Sequence, residues 1–304
     1  MSKIVIIGSS NVDLTVRTSH IPSKGETIFG ADPNTAFGGK GANQAVAVSR
    51  LGGDISFITK IGTDSYGNMM AENLVKEGMS ADTVIRDSET SSGVAWICVD
   101  DNGDNSIIVM PGANCTMTKE DIVPFLPLIK EADYLLMQLE TPLEVVEHAA
   151  SIAYENGVKV VLNPAPAQPL SDDLLSKTYL LTPNEKECRL LCGETASDDV
   201  RTNAETLLAK GVKNVIVTLG EKGSILCNAS GHAEVPAVKV NAVDTVAATS
   251  ASAMPPFTRI SVNKIVARAD AVRFTILFPI KIDVTSLSYF SSANLYTAFA
   301  FFLP

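Results

Sequence analysis

AFGGKGANQAVAVSRLGG (Ala36–Gly53) packs five glycines and a single lysine around an alanine-rich run. A strand-like segment enters Gly-Gly-Lys-Gly, and Ala42–Leu51 then reads as a helix closed by Gly52 and Gly53. The turn is not a phosphate loop of the P-loop type. That motif needs Gly, four residues, then Gly-Lys-Ser/Thr, whereas Gly-Gly-Lys-Gly is followed here by Ala42 and Asn43. Glycines let a backbone approach a ligand closely, and Lys40 and Asn43, one helical turn apart, offer donors to hydroxyl oxygens. A tight turn needing positive φ explains the same glycines.

Working outward, Lys3–Ile7 is a short apolar run that reads as a buried strand. Strands near Ile55–Lys60 and Tyr134–Leu139 alternate with helices near Tyr66–Glu77 and Leu143–Asn156. Strands Lys159–Leu162, Tyr179–Thr182 and Asn214–Thr218 follow, with helices Glu185–Leu191 and Val200–Lys210. This alternation predicts an α/β fold whose mainly parallel sheet is covered on both faces. Such sheets bind ligands beyond the carboxyl ends of their strands. Two stretches break the rhythm. Leu14–Phe37 is extended and turn-rich, and Gly93–Met110 reads as two strands joined by Asp100-Asp101-Asn102-Gly103. Together, segments near 14–37 and 93–111 predict a small side sheet over the binding edge.

The composition bounds the function classes. The 304 residues are 46% hydrophobic and 19% charged, as in a globular protein with a sizeable core. A net charge of −10 argues against a general nucleic-acid surface. The five cysteines are scattered. Cys188 and Cys192 lie one helical turn apart with no further ligand nearby, which favours packing over zinc. The opening apolar run is too short for a signal peptide, so a cytoplasmic location is expected. Asn114-Cys-Thr and Asn228-Ala-Ser match the glycosylation pattern, and without an export signal they read as chance.

Asn11 and Asp13 follow the first strand directly, and alternation gives them a common face. Glu140 follows the strand at Tyr134–Leu139 in the same way. Acceptors and amides at one sheet edge suit a polyhydroxylated ligand, a sugar above all, although strand ends are also polar where they simply meet solvent. In the second half, Asn184 and Glu187 are one turn apart where a strand opens into a helix, a place for Mg²⁺ held through water. Val217-Thr218-Leu219-Gly220-Glu221-Lys222-Gly223 is another strand-to-glycine turn, against which a nucleotide could lie.

Taken in order, Asn11-Val12-Asp13, Phe37–Asn43, Gly62–Gly67, Met137–Glu140, the Asn184–Glu187 pair and Val217–Gly223 resemble the PfkB carbohydrate-kinase family. The resemblance runs from Met1 to about Val246. It implies a ribokinase-like three-layer α/β/α sandwich with a mainly parallel central sheet and a small β lid that also forms a homodimer contact. It further implies transfer of the γ-phosphoryl group of ATP to O5 of D-ribose, with Mg²⁺ and a monovalent cation, K⁺, as cofactors, and neither nucleic acid nor membrane as partner. By the same resemblance Asn11, Asp13, Gly39, Lys40, Asn43 and Glu140 would hold the sugar, with lid residues such as Ala95 and Ile107 closing over it. Asn184, Thr218, Gly220 and Gly223 would line the ATP site, Glu187 would lie near Mg²⁺, and Asp244 and the Val246 carbonyl would begin the monovalent-cation site.

The pattern breaks after Asp244-Thr245-Val246-Ala247-Ala248. There the family calls for Gly-Asp opening a helix: the glycine and helix start form an anion hole, and the Asp is the base. This chain has Thr249 and Ser250, and Pro255 and Pro256 fall in the expected helix. From 247 to 304 there is no glycine and no glutamate, yet these residues carry nine of the eighteen aromatics. A change of reading frame near 247, a sugar-binding protein without turnover, and an enzyme with a relocated base are three explanations. Coding DNA read in all three frames separates the first from the others. The apolar run Ala293–Leu303 is too short to span a membrane.

Overall fold

The computed structural model describes residues 2–237, which divide into two compact units at Val160. In the first unit the chain runs β1 (Lys3–Ile7), β2 (Asn11–Arg17), β3 (Ala31–Gly38), α1 (Lys40–Arg50), β4 (Asp54–Gly62) and α2 (Ser65–Lys76). It continues through β5 (Val84–Asp87), β6 (Gly93–Val99), β7 (Asn105–Met110), α3 (Lys119–Ile122), α4 (Leu126–Lys130), β8 (Tyr134–Met137) and α5 (Leu143–Glu155). β9 (Lys159–Leu162) straddles the division. The second unit adds α6 (Asp172–Lys177), β10 (Thr178–Leu181), α7 (Glu185–Cys192), α8 (Val200–Ala209), β11 (Asn214–Thr218), β12 (Ser224–Asn228) and β13 (Gly231–Val235).

The first unit's main sheet has the order β8-β1-β4-β5, and each pair is parallel. β1 lies between two parallel neighbours, which is why KIVII is apolar without alternation: Ile4 to Ile7 are all buried. Beyond β1 the chain leaves this sheet and enters a second one, ordered β3-β2-β6-β7. Its hairpin β6–β7 turns at Asp100, whose carboxylate accepts the amides of Asn102 and Asp104. This is the expected side sheet. Val12 and the partly buried Leu14 and Phe37 of its inner face pack on Ile61 and Met70.

α1 buries Gly41, Ala42, Gln44, Ala45, Ala47 and Val48, the spacing of one helical face, and these small side chains let it lie close to the strands. It ends where Gly53 N–H reaches the Val48 carbonyl and Gly52 takes φ +80°. The second unit is ordered β9-β10-β11-β12-β13; β10 and β11 are parallel, while β11–β12–β13 is an antiparallel meander. No helix of the described residues is long and apolar enough to cross a membrane.

Two expectations change. α1 begins at Lys40 rather than Ala42. Asn11 and Asp13 do not trail the end of β1 but open β2 of the side sheet, because Gly8-Ser9-Ser10 turns the chain out of the main sheet. They still share a face, which also holds Ala95 and Ile107: Asp13 pairs with Ala95 across β2–β6, and Ile97, two residues on from Ala95, pairs with Ile107 across β6–β7.

Candidate active site

The glycine turn closes on a carboxylate from a hundred residues away. Glu140 Oε2 accepts the Lys40 amide N–H at 2.9 Å and the Ser9 hydroxyl at 2.6 Å, and Ser9 Oγ in turn accepts the Gly41 amide at 3.3 Å. α1 has no side-chain cap of its own and no acid in its first turn, so Glu140 supplies the negative charge that a helix N-terminus favours. The anion position of this turn is therefore filled by the protein itself. What remains for a ligand is the Lys40 ammonium, only loosely paired with Glu140 Oε1 at 3.9 Å, and the half-buried Asn43. Asn43 holds its place by its own backbone, donating to the Gly39 carbonyl.

The glycines here serve close approach. A Cβ on Gly41 would lie 2.6 Å from Gly8 C and Ser9 N, and one on Gly38 2.2 Å from Asp13 Oδ2. Gly39 has φ +91° and packs against Ser10 and the Asn11 amide. The structure thus brings together Asn11, Asp13, Gly39, Lys40 and Glu140, with Asn43 one turn along α1. The Gly62–Gly67 motif anchors the root of β6: Asp64 caps α2 through the Gly67 amide and also accepts both the backbone and the hydroxyl of Ser92. Those bonds hold the Asp64 carboxyl below its ordinary range against the opposing effect of burial, the largest single influence.

Sequence reasoning missed Ser9 and Ser10, although Gly-Ser-Ser at the end of a buried strand was signal enough. It also missed Asn114, Ser92 and Gly93. Cys115 is exposed near Glu140; burial and then the Glu140 charge raise its pKa, so it is no nucleophile. Cys188, buried on α7, is pushed up to about 12 by burial first and then by Cys192 and Cys227. All five cysteines are free, and these three pack.

In the second unit, Asn184 and Glu187 form a capping box: the Asn184 side chain accepts the Glu187 amide, and Glu187 Oε2 accepts the Asn184 amide, both at 2.8 Å. Asn184 and Thr218 are bridged as parallel neighbours, which brings the two predicted segments to one place. The turn that follows is closed by Leu219 N–H to Gly223 O and Gly223 N–H to Gly220 O. A Cβ on Gly223 would meet the Val235 carbonyl at 2.0 Å, whereas among the described residues nothing lies within 4 Å of one on Gly220. Among the described residues no three acids, histidines or cysteines cluster to hold a metal ion. Asp244, Val246 and Ser250 lie outside the described residues.

The sequence profile of the pfkB family carbohydrate kinase matches residues 1–248. This chain belongs to that family. The ribokinase of Staphylococcus aureus (strain COL) is 40% identical over 250 residues, covering 81% of this chain and 82% of that protein. The bifunctional ribokinase/ribose-5-phosphate isomerase A of Fructilactobacillus sanfranciscensis is 41% identical over 251 residues, 82% of this chain; the chain spans under half of that relative, 46%. The structure of Arabidopsis thaliana ribokinase complexed with ribose and ATP aligns with a TM-score of 0.73 at 30% identity, over 81% of this chain and 82% of that one. The pfkB match stops one residue before Thr249.

Proposed function

We propose that this chain is a ribokinase, built to bind D-ribose and ATP for transfer of the γ-phosphoryl group to O5, with the transfer step slowed at Ser250. The observation that carries the sugar reading is the filled α1 N-terminus. With Glu140 on the Lys40 amide, the glycine turn suits a neutral polyhydroxylated ligand held by Asn11, Asp13, Lys40 and Asn43 rather than a phosphate. Ala95 and Ile107, on the Asp13 face of the side sheet, would cover the bound sugar and exclude water.

ATP would lie against the Thr218–Gly223 turn, with Asn184 beside it. Mg²⁺ keeps several waters and is bound through one or two carboxylates plus substrate phosphates. Glu187 suits such an ion carried in on ATP. Asp244 and Val246 would begin the K⁺ site. In the transfer, O5 forms a bond to the γ-phosphorus and gives up its proton, in this chain to water, while the bond to ADP breaks in line. A serine hydroxyl is no base near neutral pH, and general-base help is worth roughly 10²–10⁴ in rate. Ser250 would therefore slow transfer while altering none of Asn11, Asp13, Lys40, Asn43 and Glu140.

The side sheet would also form a homodimer. β7 is exposed along its whole length, and both faces of its hairpin carry exposed apolar side chains, Trp96, Ile108 and Met110 on one and Ile107 and Val109 on the other. Five unpaired thiols suit a reducing, cytoplasmic setting. Calorimetry with ribose and with ATP, run beside a coupled assay of ADP release, tests the reading. Binding of both ligands with slow, ribose-dependent ADP release supports it. Ribose binding with no release supports a sugar-binding protein without turnover, tighter binding of another sugar in a competition series moves the substrate, and binding of neither ligand overturns the kinase reading.

A further inference from the structure

Asn114 lies outside every segment that the sequence marks as a ligand contact. It sits in the short turn Gly112–Thr116 and is 2% exposed, so its match to a glycosylation pattern has no structural meaning. Its Oδ1 accepts the Ser10 amide N–H at 2.9 Å. Its Nδ2 faces three acceptors: Asn11 Oδ1 at 2.8 Å, the Pro111 carbonyl at 2.9 Å and the Ser10 carbonyl at 3.1 Å. A backbone N–H can only donate and a carbonyl can only accept, so these contacts admit one orientation of the Asn114 amide. Its Nδ2 can only donate in turn, so the Asn11 atom facing it is the side-chain oxygen. That leaves the Asn11 NH₂ group for a ligand.

Gly93 makes room for this pair. It lies opposite Asn11 in the β2–β6 register, and a Cβ there would fall 2.2 Å from Asn11 Oδ1 and 2.4 Å from Asn114 Nδ2. The turn carrying Asn114 is itself held: Ala113 N–H donates to the Ser91 carbonyl, and the Lys60 ammonium reaches the Thr116 carbonyl at 2.9 Å.

We infer that Asn114 is a positioning residue that fixes the Asn11 amide, so that Asn11 meets the sugar only as a hydrogen-bond donor. This rests on the reading of Asn11 as a ribose contact. An unrestrained asparagine could turn either end to a hydroxyl; this one demands an acceptor. A sugar lacking that oxygen leaves a partly buried NH₂ unpaired, which a site built on hydrogen bonds discriminates against strongly.

The test is ribose calorimetry on the full chain and on Asn11→Ala, Asn114→Ala, the double variant and Gly93→Ala, with ATP affinity and thermal unfolding measured alongside. Asn114→Ala and Gly93→Ala should each weaken ribose binding about three- to tenfold, the scale of one hydrogen bond, with ATP affinity unchanged. In the Asn11→Ala background, Asn114→Ala should change ribose affinity less than twofold, while the losses in thermal stability add. Additive ribose losses, or unchanged affinity in Asn114→Ala, overturn the inference.

Should these variants not fold, the unaltered chain decides with deoxy and deoxyfluoro riboses. At one ring position fluorine, which accepts but cannot donate, should bind better than hydrogen, and no such position overturns the inference. An unaltered chain that binds no ribose removes the ribose reading and this inference with it. Ribose binding with additive losses removes this inference alone.

Discussion

Replacing Glu140 by Gln removes one charge and almost no volume from the glycine turn. Glu140 Oε2 serves the Ser9 hydroxyl and the Lys40 amide together, and a glutamine oxygen can still accept both. What is lost is the charge. A carboxylate at a helix N-terminus is worth about 0.3–1 kcal/mol when exposed and up to about 2 when partly buried. The Glu140 side chain is 25% exposed, which places it toward the upper part of that range. The Lys40 ammonium at 3.9 Å adds under about 1 kcal/mol, as a loose and partly solvated pair. The sum, about 1–2 kcal/mol, lowers the unfolding midpoint of a chain of this size by about 2–8 °C. Glu140→Ala removes the acceptor as well and leaves the Lys40 amide and the Ser9 hydroxyl without their partner, which turns the α1 N-terminus into an anion site. Thermal unfolding in chloride and in sulfate reads both effects. Glu140→Gln should melt below the parent by that amount in either salt, and Glu140→Ala should melt lower still in chloride while gaining extra protection from sulfate. An unchanged midpoint in Glu140→Gln, or equal sulfate protection in parent and Glu140→Ala, refutes the claim that this carboxylate fills the turn.

Asp87 is held down to about 2 by the Thr116 hydroxyl first, then by the Glu89 and Thr90 amides and the Lys60 ammonium. Its folded pKa lies below the unfolded value of about 3.9, so it stabilises fully above that value, by about 2 kcal/mol, and the contribution is lost as pH falls toward about 2; the gap in unfolding midpoint between the parent and Asp87→Asn should be largest near neutral pH and close across that window. Thr249→Gly with Ser250→Asp should raise ribose-dependent ADP release yet stay short of a full kinase rate, because Pro255 and Pro256 remain in the following segment; a full rate in the coupled assay would show that two side chains were the whole defect. Ile108→Lys, at a residue 66% exposed on β7, should convert a side-sheet dimer to monomer in sedimentation while ATP affinity stays unchanged.

The main strands and helices were legible because apolar runs and helical spacing are local signals: Lys3–Ile7, Lys159–Leu162 and Asn214–Thr218 carry the same bounds in sequence and structure. The Gly93–Met110 hairpin was legible from its Asp-Asn-Gly turn. What escaped was short or non-local. α3 and α4 are four and five residues long and separated by a Pro-containing turn, too brief for a periodic pattern. The antiparallel strands β12 and β13 break the strand-helix rhythm. Asn184 and Glu187 were read as a place for Mg²⁺ and ATP or as a tight turn, although Asn-x-x-Glu also spells the capping box that they form. The bond between Glu140 and Lys40 spans 100 positions and that between Asn114 and Asn11 spans 103, so only the folded chain shows them.

On the proposed ribokinase reading, the bond from Glu140 to Lys40 also separates the break at Thr249 from sugar binding. A kinase must stabilise charge on a moving phosphoryl group, and helix N-termini are the backbone's ready anion sites. The α1 N-terminus is already neutralised by Glu140, so the anion hole for that group has to come from another helix start. The family pattern puts it at the Gly-Asp that this chain replaces with Thr249 and Ser250. On the reading proposed above, that one pair would cost the chain the anion hole and the base together, while Asn11, Asp13, Lys40, Asn43 and Glu140 all lie within residues 3–160. Ribose affinity and ADP release should separate accordingly, the first near that of an intact sugar site and the second lowered by at least the roughly 10²–10⁴ that a general base supplies. Loss of both in parallel would mean that the sugar site depends on residues beyond 237 after all.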